Sequence, residues 1–174
     1  IQPDQGSAKV STSTEHATHG KQSLEVTLEG EESGFGIEAR PQPFQFTGAK
    51  KLLLDIYREG MPISLIFRVY DADAKPYSIW YYRLQPGPNT VELDVAGMAA
   101  FLDTKRVKRI YAYAEQGSGK VFIDNIRLAS EQIDLTTTIQ KPVAHPKKVP
   151  PGNGLLNGDF EVGLTGWNSW GEWD

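Results

Sequence analysis

The sequence predicts an all-β protein, an antiparallel sandwich of about eight strands, and three observations carry that prediction. Apolar residues recur at every second position in a series of short runs. Glycine, proline, asparagine and aspartate separate those runs at short intervals. Only one stretch has a spacing suited to a helix, and it is a turn or two long.

In chain order, Ser23–Glu29 puts Leu24, Val26 and Leu28 on one face. Phe35–Arg40 is a shorter candidate. Lys51–Tyr57 aligns Leu52, Leu54 and Ile56, and Ile63–Tyr70 sets Ile63, Leu65, Phe67 and Val69 against Ser64, Ile66, Arg68 and Tyr70. In Ser78–Leu84 the parity is ambiguous: either Trp80 and Tyr82 or Tyr77 and Tyr81 form the outward set. Thr90–Val95 offers Val91, Leu93 and Val95, and Ala96–Leu102 is the helical stretch. Val107–Glu115 offers Ile110, Ala112 and Ala114, and Val121–Leu128 closes the series. A strand with one buried face alternates in this way because successive side chains point to opposite sides. Gln85-Pro86-Gly87-Pro88-Asn89 stops one strand before the next, since proline cannot donate to a ladder. Asp71–Pro76 and Gln116–Gly119 have the composition of hairpin loops.

Composition narrows the function classes. Over 174 residues, 39% hydrophobic and 23% charged is ordinary for a folded domain rather than a disordered segment. A net charge of -4 argues against a surface that tracks nucleic-acid phosphates. No apolar run approaches the roughly 18 residues of a membrane span. With no cysteine there is no disulfide, thiol nucleophile or thiolate metal site. The start at Ile1 reads as processed or trimmed. Residues 1–128 are expected to form the sandwich, and 129–153, rich in proline and lysine, an extended linker. Residues 154–174 read as the opening of a second, truncated module, in which 155–163 could alternatively fill a sheet edge in a neighbouring molecule.

The run Gly20-Lys21-Gln22-Ser23-Leu24 resembles the turn and second strand of galactose-binding-like jelly-roll modules. Val121-Phe122-Ile123-Asp124-Asn125-Ile126-Arg127-Leu128 is similar to their closing strand, and Leu84–Val91 falls between them in the matching order. The likeness spans nearly all of residues 10–128, and Asn157-Gly158-Asp159-Phe160-Glu161 with Gly166-Trp167 is similar to the opening of another such module. The resemblance implies a jelly-roll sandwich that accompanies a bacterial polysaccharide-degrading catalytic domain in the same polypeptide. It also implies a secreted or cell-surface location, and a structural calcium ion held by Asp124 and main-chain carbonyls at Gly20–Lys21. The acidic ligand often supplied by an opening strand is absent from the first module, and Asp124 could instead cap a turn.

Sugar recognition needs flat aromatic faces and planar polar groups on an off-core surface. Alternation assigns that surface to Arg68, Tyr70, Arg109, Tyr111 and Tyr113, and Trp80 and Tyr82 join them on the first of the two parities open to Ser78–Leu84. Other motif-like strings fail on spacing. Gly117-Ser118-Gly119-Lys120 lacks the glycine spacing of a phosphate loop, and Val121 stands where a magnesium-binding hydroxyl belongs. Asp71-Ala72-Asp73 has Pro76 in place of the turn glycine of a calcium loop. His16 and His19 lack an evident third metal ligand. Glu31 and Glu32 are adjacent and cannot flank one glycosidic bond. The sequence therefore points to a non-catalytic carbohydrate-binding module that targets an associated enzyme to polysaccharide, with a structural or interaction sandwich as the alternative.

Overall fold

The computed structural model describes residues 8–73, 76–130 and 167–170, with backbone alone at 76–80 and 167–170. Ten strands and one short helix follow in order: β1 (Lys9–Ser13), β2 (Ser23–Leu28), β3 (Gly34–Glu38), β4 (Lys51–Arg58), β5 (Ile63–Asp71), β6 (Pro76–Leu84), β7 (Gly87–Asp94), α1 (Val95–Met98), β8 (Val107–Gln116), β9 (Gly119–Ala129) and β10 (Trp167–Trp170). They form two antiparallel five-stranded sheets, ordered β1-β2-β9-β4-β7 and β10-β3-β8-β5-β6. This is the antiparallel sandwich that the alternation predicts, in the jelly-roll form that the resemblance implies.

The core lies between the sheets and takes the apolar member of each alternating pair. Leu54 and Ile56 of β4 meet Leu65 and Phe67 of β5 and Ala112 of β8, all buried in one cluster. Each large side chain so buried is worth about 1.5–3 kcal/mol against exposure. Because inward positions are fixed by this cluster, the outward positions of β5 and β8 are fixed too, and they carry the candidate site.

Three details differ from the sequence expectation. β7 begins at Gly87, inside the expected stop, and Pro88 sits opposite Tyr57. It can do so because β7 is an edge strand, whose outer side needs no donor. The helix is shorter than Ala96–Leu102: it covers Val95–Met98, capped by Asp94, whose Oδ1 accepts from the Gly97 amide at 3.0 Å. Turn hydrogen bonds then continue it to Leu102, whose amide donates to the Met98 carbonyl at 3.1 Å. Strand β1 has no apolar alternation to announce it and pairs along the edge with β2.

Trp167–Trp170, within the segment read as a second module, pairs antiparallel with β3, from Trp167 opposite Ile37 to Trp170 opposite Gly34. The expected linker beyond Ser130, residues 155–163 and the rest of that segment lie outside the described residues. Among the described residues no helix is long and apolar enough to cross a membrane.

Candidate functional site

The outward face of the second sheet is built from matched positions on β5 and β8. Their register sets Ile66 opposite Tyr113, Arg68 opposite Tyr111, and Tyr70 opposite Arg109. Each of the two arginines therefore stands across from a tyrosine, while Tyr111 and Tyr113 follow each other along β8. The Arg68 guanidinium lies 5.0 Å from the centre of the Tyr113 ring, and Arg109 lies 5.8 Å from that of Tyr70. Tyr111 and Tyr113 stack at 5.7 Å with an interplanar angle of 26°. Arg68 Nη2 also donates to the Tyr113 hydroxyl at 2.9 Å. Five of the seven expected residues (Arg68, Tyr70, Arg109, Tyr111 and Tyr113) thus share one platform.

Burial and neighbouring charge act on three of these groups and on Glu38 beside them. Burial drives the Tyr111 phenol up to about 12, helped by its neighbours Tyr70 and Tyr113 and opposed by Arg68. Burial also raises Tyr113. Burial alone would lower Arg68, but its hydrogen bond to Tyr70 and the fields of the surrounding phenols raise it. Glu38, at the β3 end of the platform and only 7% exposed, would likewise be raised by burial. A hydrogen bond from Arg40 and the charges of Arg109, Arg40 and Lys108 outweigh that and hold its carboxyl below the usual glutamate range. Arg40 Nη2 reaches Glu38 at 2.7 Å and Arg109 Nη2 at 3.5 Å.

Two of the expected residues are placed differently. Tyr82 sits opposite Leu65, a core-face position, and its ring meets Phe67 edge-on at 5.9 Å. Its hydroxyl donates to the Glu92 carbonyl, so Tyr82 ties β6 to β7 across the edge of the sandwich and does not belong to the platform. Trp80 is registered opposite Phe67, and its side chain lies outside the described residues. The outward residue is Tyr81, opposite Ile66 and 61% exposed. The register of β5 and β6 shifts between Phe67 and Arg68, where one extra β6 residue is inserted, and this breaks strict alternation.

Gly34 is the residue that sequence reasoning missed. A Cβ there would run into the Tyr111 hydroxyl and ring, so β3 can pass beneath Tyr111 only without a side chain at this position. Gly34→Ala is expected to displace the Tyr111 ring and lower stability by about 1–3 kcal/mol, the usual cost of overpacking. Tyrosine ring resonances and urea denaturation measure the two effects. Unchanged ring signals and stability would mean that the ring has room.

The donors around Asp124 do not fit the calcium expectation. Its Oδ2 accepts from the amides of Thr18 at 2.6 Å and His19 at 2.7 Å and from the Thr18 hydroxyl at 3.2 Å, while Oδ1 accepts from the Asn125 amide at 2.7 Å. Calcium needs oxygen lone pairs, and here the carboxylate lone pairs are directed at donors. Asp124 caps the turn that precedes Lys21, and Lys21 is exposed on it. The described residues that gather potential ligand atoms around His16 are Glu15 and Glu59, all within 4.8 Å of one another, and not His19. His16 Nε2 lies 3.7 Å from Glu59 Oε1, and its ring stacks on Tyr57 at 3.5 Å.

No family model and no curated protein matches the chain. Among solved structures, it is similar to an exo-β-agarase, with a TM-score of 0.59 and 14% identity over 76% of this chain, and it spans 24% of the agarase chain. It is also similar to a family 11 carbohydrate-binding module from Clostridium thermocellum, solved with a β-1,3-1,4-mixed-linked tetrasaccharide. There the TM-score is 0.52 and the identity 21%, covering 74% of this chain and 90% of that one. A xylan-binding domain of family 22 aligns with a TM-score of 0.50 and 14% identity, over 76% of this chain and 92% of that one. At these identities the likeness is one of fold, a β-sandwich jelly roll.

Proposed function

We propose that the chain is a non-catalytic carbohydrate-binding module whose platform of Arg68, Tyr70, Tyr81, Arg109, Tyr111 and Tyr113 holds a polysaccharide chain. The alternation of tyrosine and arginine across the β5–β8 pair carries this reading. Phenol faces cover pyranose C–H surfaces, and guanidinium N–H groups donate to ring and hydroxyl oxygens. The solved modules of similar fold, one bound to a mixed-linked tetrasaccharide and one termed xylan-binding, support it.

Glu38 does not suit the role of a glycosidase acid. A glycosidase acid needs a raised carboxyl, whereas three cations hold Glu38 low. The module would serve a secreted or cell-surface bacterial protein by keeping a degrading domain of the same polypeptide beside its substrate, which raises effective concentration without touching the bond.

Affinity electrophoresis against a polysaccharide panel tests this. At least one glycan should retard the protein, and Tyr113→Ala should weaken that binding about tenfold through lost stacking while the melting temperature holds. Failure to bind any member of the panel would favour the reading as an interaction module.

A further inference from the structure

We infer that the glycan is anionic, bearing carboxylate or sulfate groups, and that Arg68 receives the anion. The inference rests on the platform being a glycan site, and a contrast between the two sheets carries it. On the outward side of the first sheet, cations are matched to carboxylates one to one. Lys120 pairs with Glu25 at 2.7 Å, Arg127 with Asp55 at 3.1 Å, and Lys51 with Glu92.

On the second sheet the matching fails. Glu38 alone faces Arg40, Lys108 and Arg109, at 2.7, 3.8 and 3.5 Å. Arg68 forms no ion pair with a carboxylate among the described residues. It has the phenols of Tyr113 and Tyr70 and an aromatic face, while its Nε is buried and has no hydrogen-bond partner among those residues. Arg83, exposed and registered opposite Ser64, adds a further cation to this face. Glu115, at the far end of β8, is exposed and makes no ion pair with Arg68. A cationic surplus on a chain of net charge -4 is a local feature, not a reflection of bulk charge.

The position of Arg68 matters as much as its charge. It stands opposite Tyr111 and beside Tyr70 and Tyr113, at the middle of the aromatic surface, so a ligand stacked there brings its substituents to the guanidinium. Sugar hydroxyls can accept from this group but leave its charge uncompensated. A planar carboxylate or a sulfate supplies paired acceptors and the opposite charge together, the geometry to which the guanidinium fork is suited.

The test compares matched glycans by isothermal titration at about 150 mM salt, where unspecific attraction is screened. One pair is polygalacturonate against its methyl ester, and the other is carrageenan against its desulfated form, so that the two arms separate carboxylate from sulfate. One anionic member should bind at least about tenfold more tightly than its neutral partner. Arg68→Gln should bring that ratio close to one, and Arg68→Lys, which keeps charge without the fork, should leave it in between. Lys120→Gln, on the opposite sheet, should not alter it. Should Arg68→Gln fail to fold, a lowered ratio in Arg68→Lys upholds the inference and an unchanged one overturns it. Equal or tighter binding of the neutral partners overturns the anionic assignment and leaves the glycan site standing. So does an equal loss in Arg68→Gln and Lys120→Gln. Binding to no glycan, charged or neutral, defeats the underlying reading instead.

Discussion

Replacing Arg58 by alanine is expected to destabilise the fold by about 3 kcal/mol, because a buried guanidinium that donates to three main-chain carbonyls is lost together with its packing. Arg58 ends β4 and is 3% exposed. Its Nε donates to the Met61 carbonyl at 2.7 Å, Nη1 to that of Lys120 at 2.8 Å and Nη2 to that of Ser118 at 2.8 Å. One guanidinium therefore ties the turn entering β5 to the hairpin between β8 and β9. Room for it comes from Gly119, where φ is 116° and a Cβ would lie 2.8 Å from Nη1. Burial lowers the guanidinium from its ordinary value, so the three charge-assisted bonds are what keep a cation in this place. The effect reaches the platform, since β5 and β8 both start or end at the tied turns. Arg58→Lys, with one ammonium for three divergent carbonyls, should recover only part of the loss. Urea denaturation measures it, and an Arg58→Ala midpoint equal to wild type would show that water satisfies the carbonyls.

Most of the sandwich was legible because most of its strands bury only one face. Lys51–Tyr57, Ile63–Tyr70 and Val107–Glu115 bury an apolar residue at every second position, although Leu53 and Ile66 are buried on the other face as well, and their observed spans differ by a residue or so at the ends. Parity along β5 and β8 then correctly placed Arg68, Tyr70, Arg109, Tyr111 and Tyr113 together. What escaped was whatever breaks alternation or leaves no apolar trace. The β6 irregularity opposite Phe67 and Arg68 sets Tyr77 and Tyr81 on opposite parities, so neither pair that alternation offered, Trp80 with Tyr82 or Tyr77 with Tyr81, is the outward set. Strand β1 offers Lys9, Ser11, Thr12 and Ser13, a polar edge with nothing to bury on either side except Val10. Gly34 was silent because a missing side chain carries no pattern, and only the Tyr111 ring above it reveals the need. Arg58 gave no signal, since the carbonyls that it binds come from two turns far apart in the chain.

Asp124 gives the second large effect, and it depends on pH. Asp124→Ala at neutral pH is expected to cost about 3 kcal/mol, because the amides of Thr18, His19 and Asn125 lose their acceptor together. The carboxyl is 1% exposed, and burial pushes it up to about 6 against the pull of those amides and the Thr18 hydroxyl. In the unfolded chain an aspartate titrates near 4, so between these values the folded chain holds a proton that the unfolded chain has released. The stabilisation that this proton supplies is full below about pH 4 and is lost as pH rises through about 6. A separation of about two pH units corresponds to about 3 kcal/mol. Asp124→Asn cannot titrate, so its stability relative to wild type should improve steadily from pH 4 to about 7. Urea denaturation of both proteins across that range tests the sign, and parallel curves would place the titration elsewhere. The same experiment decides the calcium question. With both oxygens filled by donors, neither added calcium nor a chelator should move the wild-type midpoint, and a rise with calcium that Asp124→Asn abolishes would show that the turn opens to take the ion.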